Sequence, residues 1–80
     1  MPDHRFPAAV QVSSRRLGDR AIGRVSEAAQ TLMDVRWPVR GPRHRDAVET
    51  CLKALDGHRS ADDARARFVE AAEEAGILGA

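Results

Sequence analysis

The sequence predicts an α+β domain: an N-terminal β-hairpin packed against three α-helices, in the order β-β-α-α-α. Three observations carry this. Apolar residues alternate near the N-terminus, around Val10-Gln11-Val12, and from Val25 onward they recur at helical spacing. Two breaks, Trp37-Pro38 with Gly41-Pro42 and Gly57 before Ser60, divide the remainder into three helical segments. Eighty residues suffice for one domain, and a two-stranded hairpin is not stable alone, so the helices must cover it.

Residues 1–5 are expected to form a flexible tail, and residues 6–80 a single small domain. Phe6 to Ser13 reads as a half-buried strand, Ser14 to Asp19 as a turn, and Arg20 to Val25 as the returning strand. Gly23 weakens that second strand or marks a bulge.

In the first helix, Ser26 is expected as the N-cap, and Glu27 sits well against the positive helix end. Val25, Ala28, Ala29, Leu32 and Met33 form its apolar face. The helix must stop near Val35 or Arg36, because Trp37 precedes Pro38 and is pushed out of the α region. The second helix begins near Pro42 or Arg43, where a proline costs no hydrogen bond. His44, Ala47, Val48, Cys51, Leu52 and Leu55 share one of its faces, and Gly57 suits the left-handed residue that ends it. Ser60 with Asp63 caps the third helix, whose inner stripe is Ala64, Phe68, Ala71, Ala72 and Ala75. Gly76 ends that helix, and Ile77 folds back on Ala71 or Ala72. The short link between the last two helices makes them antiparallel.

The residues of the second half resemble a known family. Trp37-Pro38, Arg40-Gly41, His44, Ala47, Cys51, Ala54-Leu55 and Gly57 are followed by Ser60, Ala64-Arg65, Phe68, Ala71-Ala72 and Ala75-Gly76-Ile77. This pattern resembles the domain-of-unknown-function family numbered 982, small bacterial proteins, over roughly residues 6 to 78. The resemblance implies a small stand-alone domain and implies no activity. Leu78-Gly79-Ala80 departs from the apolar, often valine-containing ending expected of the family, and on that departure no short third strand is counted.

Composition narrows the function. Hydrophobic residues are 42% and charged residues 31%, as in a folded domain rather than a disordered chain. No apolar run approaches the ~18 residues of a membrane span, and the first residues lack the apolar core of a signal peptide. The single cysteine, Cys51, cannot form an intramolecular disulfide. A cytoplasmic location and no membrane association are expected.

No residue set converges on chemistry. His4, His44, His58 and Cys51 lack the closely spaced pairs of a zinc site. His44 and Cys51 share a helix face, but seven residues at 1.5 Å rise separate them by ~10 Å, too far for a hydrogen bond. The phosphate-loop and nucleophile-elbow motifs are absent. No catalytic residue, metal or cofactor is expected, and the protein is not expected to be an enzyme.

One stretch stands out. RWPVRGPRHR, residues 36–45, gathers four arginines beside the only tryptophan of a chain whose net charge is +1. Arg43 and Arg45 fall in the first turn of the second helix, where the helix dipole is already positive. Arg36, Trp37, Arg40, Arg43, His44 and Arg45 are therefore the candidate binding residues. They suit a phosphate or nucleic acid, with Trp37 as a stacking platform and Arg15, Arg16, Arg20 and Arg24 of the hairpin extending the surface.

The bland alternative is internal. Residues 1–45 carry nine basic and four acidic side chains, residues 46–80 four basic and eight acidic, so the halves are +5 and −4. Antiparallel second and third helices would bring Arg43 or Arg45 beside Glu73 or Glu74. Trp37 would then be an aromatic plug and His44 a hydrogen-bonded core residue. On this balance the expected function is a non-enzymatic protein-interaction or regulatory module. Its partner is another protein or itself, as a homodimer through the hairpin edge. Nucleic-acid or phosphate binding is the alternative.

Overall fold

The computed structural model describes residues 4–79. Two antiparallel strands, β1 (Arg5–Ser14) and β2 (Gly18–Arg24), are followed by three helices, α1 (Val25–Met33), α2 (Pro42–Leu55) and α3 (Ala61–Ala75). The predicted α+β order is the observed one. Residues 1–3 of the expected tail lie outside the described residues; Arg5, at its end, already belongs to β1. Among the described residues, no helix is long and apolar enough to cross a membrane.

The alternation in the sequence sets the sheet's two faces. Val10, Val12 and Ile22 turn inward and are buried, while Gln11, Ser13 and Ala21 face solvent. The ladder pairs Val10 with Ile22 and Val12 with Arg20, and its register shifts between Arg5 and Val10. Pro7 falls in that irregularity, where no ladder N–H is required. The Arg65 guanidinium donates to the Ala8 carbonyl at 2.8 Å and ties the bulge to α3.

α1 starts one residue before the expected cap. Its N-cap is Arg24, whose side chain does not cap the helix, and Ser26 lies inside the helix. Glu27 supplies the capping acceptor, since its Oε1 takes the Gly23 N–H at 3.0 Å. The expected face also shifts. Val25, Ala28, Ala29 and Leu32 are buried as predicted, but Met33 is 57% exposed and Thr31 is buried in its place. Met33 is the last residue of the helix, so no following turn covers it.

α2 begins at Pro42, as the sequence requires. Its buried stripe is His44, Ala47, Cys51 and Ala54, with Val48 half-buried; Leu52 and Leu55, expected inside, are 44% and 40% exposed. The left-handed Gly57 and Gly76 end α2 and α3 at φ +83° and +71°. Ser60 Oγ caps α3 by accepting the Asp63 N–H at 3.0 Å. Ile77 is buried, and its N–H bonds the Ala72 carbonyl at 3.0 Å.

The C-terminus does pair with the sheet. Leu78 bridges Val12, the Ser13 N–H donates to the Ile77 carbonyl at 2.8 Å, and the Gly79 N–H donates to the Gln11 carbonyl at 2.7 Å. An ideal Cβ on Gly79 would lie 3.0 Å from the Gln11 Cβ, so a missing side chain permits the approach. The glycine counted as a departure is what lets the segment close on β1.

Candidate functional site

The connector between α1 and α2 and the first turn of α2 hold all six candidate residues, and the structure gives them different roles. Trp37 is 3% exposed. Its ring lies against His44 and Phe68, with centroids 5.9 and 5.8 Å away, and its indole N–H donates to the Val39 carbonyl at 2.9 Å. His44 is buried, and its Nε2 lies 2.6 Å from the Leu32 carbonyl. A carbonyl only accepts, so that nitrogen carries the proton. Both rings are thus built into the seam where α1, α2 and α3 meet.

The arginines separate similarly. Arg36 grips Asp34 through Nε and Nη2, at 3.0 and 2.8 Å, while its backbone N–H bonds the same carboxylate at 2.9 Å. These bonds, with the guanidinium charge of Arg36 and then of Arg20, hold the Asp34 carboxyl well below the usual carboxylate range. Arg40 donates to the Asp34 carbonyl at 2.7 Å. Arg43 lies 3.5 Å from Glu70, which Arg67 also binds at 2.9 Å. The Arg45 guanidinium is exposed and has no partner among the described residues.

The positive start of α2 is filled from inside the fold. Glu74, on the last turn of α3, accepts the Arg43 N–H through Oε2 and the His44 N–H through Oε1, each at 3.2 Å. These are the orphan donors that a bound phosphate would use. Gly41 makes room, because a Cβ there would lie 2.6–2.9 Å from the Glu74 carboxylate. The predicted pairing of Arg43 or Arg45 with Glu73 or Glu74 is corrected in detail: the Arg43 side chain takes Glu70, and Glu74 takes the backbone. Glu70 and Glu74 are four residues apart, one helical turn, a spacing visible in the sequence.

Elsewhere the reactive groups are quiet. Cys51 is fully buried, and burial pushes its thiol up to about 11, so it is protonated at neutral pH. Among the described residues, no group of three or more His, Cys, Asp or Glu side chains is placed to hold a metal.

A surface that the sequence reading missed lies on the other side of α1. Glu27, Gln30, Thr31 and Asp34, at i, i+3, i+4 and i+7, form one polar face. Opposite them stand Arg20, Ala21 and Ile22 of β2, across a depression of about 460 Å³. The same periodicity that found the buried face of α1 finds this one, but only the fold shows that a strand edge faces it.

That edge is open. The Gln11 carbonyl and Ser13 N–H are spent on the C-terminal segment, so both point away from β2. In an antiparallel ladder their opposite residues, Ala21 and Asp19, then point their own N–H and C=O groups outward from the far side of β2. The outward Gly23 N–H is the one that Glu27 holds.

No curated protein and no solved structure matches the chain. The family model described as "Protein of unknown function (DUF982)" matches residues 8–79, and the chain belongs to that family.

Proposed function

We propose that this domain is a non-enzymatic interaction module that joins another protein chain by adding a strand to β2. The observation that carries this reading is the unequal state of the two sheet edges. β1 is closed by Ile77 and Gly79 and, at its bulge, by Arg65. β2 keeps outward backbone groups at Asp19 and Ala21 beside a groove. Strand addition draws its affinity from such groups and its specificity from the adjoining groove. Five of the six candidate residues add no competing chemistry: Trp37 and His44 are core, and Arg36, Arg40 and Arg43 are bonded within the fold.

The test is a photo-crosslinking amino acid at Asp19 in the living cell that makes the protein. Discrete protein adducts that vanish when Ala21→Pro is added support the reading. Proline removes only an outward N–H at that position, so the β1–β2 ladder is kept. Adducts with nucleic acid, or protein adducts indifferent to Ala21→Pro, refute it.

Polyanion binding keeps one specific support. Arg15 and Arg16 at the hairpin turn, and Arg45 on α2, are exposed with no partner among the described residues. A mixed oligonucleotide that shifts the amide resonances of these three residues at low salt, and releases them as salt rises, would put this reading first.

A further inference from the structure

We infer that the strand added to β2 is the β2 of a second copy of this chain, paired antiparallel about a two-fold axis through Ala21. The inference rests on the strand-addition reading and names its occupant.

Self-pairing requires the edge to complement itself. About Ala21 it does. Each Ala21 would exchange N–H and C=O with the partner's Ala21. Asp19 would donate its N–H to the carbonyl of the partner's Gly23, an acceptor that the Glu27 side chain leaves open. The side chains allow this register. On the solvent face, alanine meets alanine and aspartate meets glycine, so nothing bulky or like-charged is opposed. On the groove face, Arg20 meets the partner's Ile22, and Gly18 meets the partner's Arg24. The contrast within the hairpin is Arg5 facing Arg24, an opposition of like charges.

Charge then selects the occupant. The helix wall of the groove carries two carboxylates: Asp34, which Arg36 already grips, and Glu27, which holds the Gly23 N–H through one oxygen and has no ion pair among the described residues. The groove-facing side of β2 carries Arg20. A strand entering between the β2 edge and α1 would lay its groove-side residues against Glu27, and β2 of a second copy brings Arg20 there. Moving the two-fold axis by one residue, to Arg20, would use the same edge but set Arg20 directly against the partner's Arg20, an opposition of like charges.

The experiment is register-specific disulfide trapping of the full-length protein under mild oxidation. In this register, Ala21 and the partner's Ala21 have Cα atoms about 5.5 Å apart, within reach of a disulfide. Asp19 and the partner's Asp19 are four residues apart along the strands, roughly 13 Å. The expected result is that Ala21→Cys forms a covalent dimer and Asp19→Cys alone does not. Asp19→Cys mixed with Gly23→Cys forms a mixed dimer. Cys51 is buried and stays outside the exchange. Sedimentation of the unmodified protein should show a dimer that Ala21→Pro shifts to monomer by at least tenfold in Kd, with the circular dichroism spectrum unchanged.

Equal trapping at Asp19 and Ala21, or a monomer at millimolar concentration with no Ala21→Cys dimer, overturns the second copy as occupant. If the Asp19 photo-adducts in cells then prove to be a different protein, strand addition stands and only the self-pairing falls. If no adduct depends on Ala21 either, both fall.

Discussion

Glu74 and Gly41 act as one device at the residue scale. Two N–H groups at the start of α2 would be orphaned without the carboxylate, and a cap of this kind contributes ~0.5–2 kcal/mol. Gly41→Ala should destabilise the domain by ~1–2 kcal/mol, because its Cβ would displace the Glu74 carboxylate. Urea melts of Gly41→Ala, Glu74→Ala and the double variant should show losses that fail to add, with a coupling of ~1 kcal/mol; additive losses would mean that the glycine serves something else. His44 offers a second test. Its ring fills the core edge and satisfies the Leu32 carbonyl, so His44→Ala should cost ~2–4 kcal/mol; an unchanged melting curve would remove it from the core. Cys51 gives a pH test. Its thiol, usually near 9.0, is raised to about 11, so between those values the folded state holds a proton that the unfolded state has lost. Stability from this group is intact below pH 9 and declines from there toward 11. Melting temperature measured from pH 8 to 11 should fall more steeply for the wild type than for Cys51→Ala.

Among the elements, α2 shows how far periodicity reaches. Its start at Pro42, its end at Gly57 and its antiparallel placement beside α3 were all legible, because proline, glycine and a short link act locally. Its inner face was legible only in part. His44, Ala47 and Cys51 are buried as expected, but Leu52 and Leu55 lost their expected places to Ala54. A hydropathy pattern places the largest apolar side chains inward. Here α2 packs against an α3 stripe made mostly of alanines, so the helices meet through small residues and the leucines sit at the flank. The energetic corollary is direct. Leu52→Ala should cost less than ~1 kcal/mol, whereas Phe68→Ala, which empties the position against Trp37, should cost ~3–5 kcal/mol and leave a domain this small largely unfolded. Chemical denaturation of the two variants side by side checks the ranking. A larger loss at Leu52 would mean that its exposed face is covered in solution.

Across the whole molecule, the opposite charges of the two halves foretold internal neutralisation. They foretold Glu74 but not that Glu70 would take the Arg43 side chain while Glu74 takes backbone N–H groups, because side-chain reach across two helices is a property of their packing. The open edge of β2 was hidden for a related reason: a hairpin always has two edges, and only the landing of Ile77 to Gly79 on β1 decides which one remains. That landing also makes the last prediction. Ending the chain after Gly76 removes the buried Ile77, worth ~1.5–3 kcal/mol of apolar burial. It also strips the partners from the Gln11 carbonyl and the Ser13 N–H, creating a second free edge. The truncated protein should melt earlier, and in an Ala21→Pro background, where β2 is blocked, it should still associate as its concentration rises. Leu78→Ala is the control, since it leaves the backbone pairing and Ile77 in place and should change neither property. Sedimentation and thermal melts of these variants separate the two roles of the segment. Earlier melting without association would leave Ile77 as a core residue alone, whereas association confined to the truncated form would establish that these few residues are what keeps β1 from pairing with other chains.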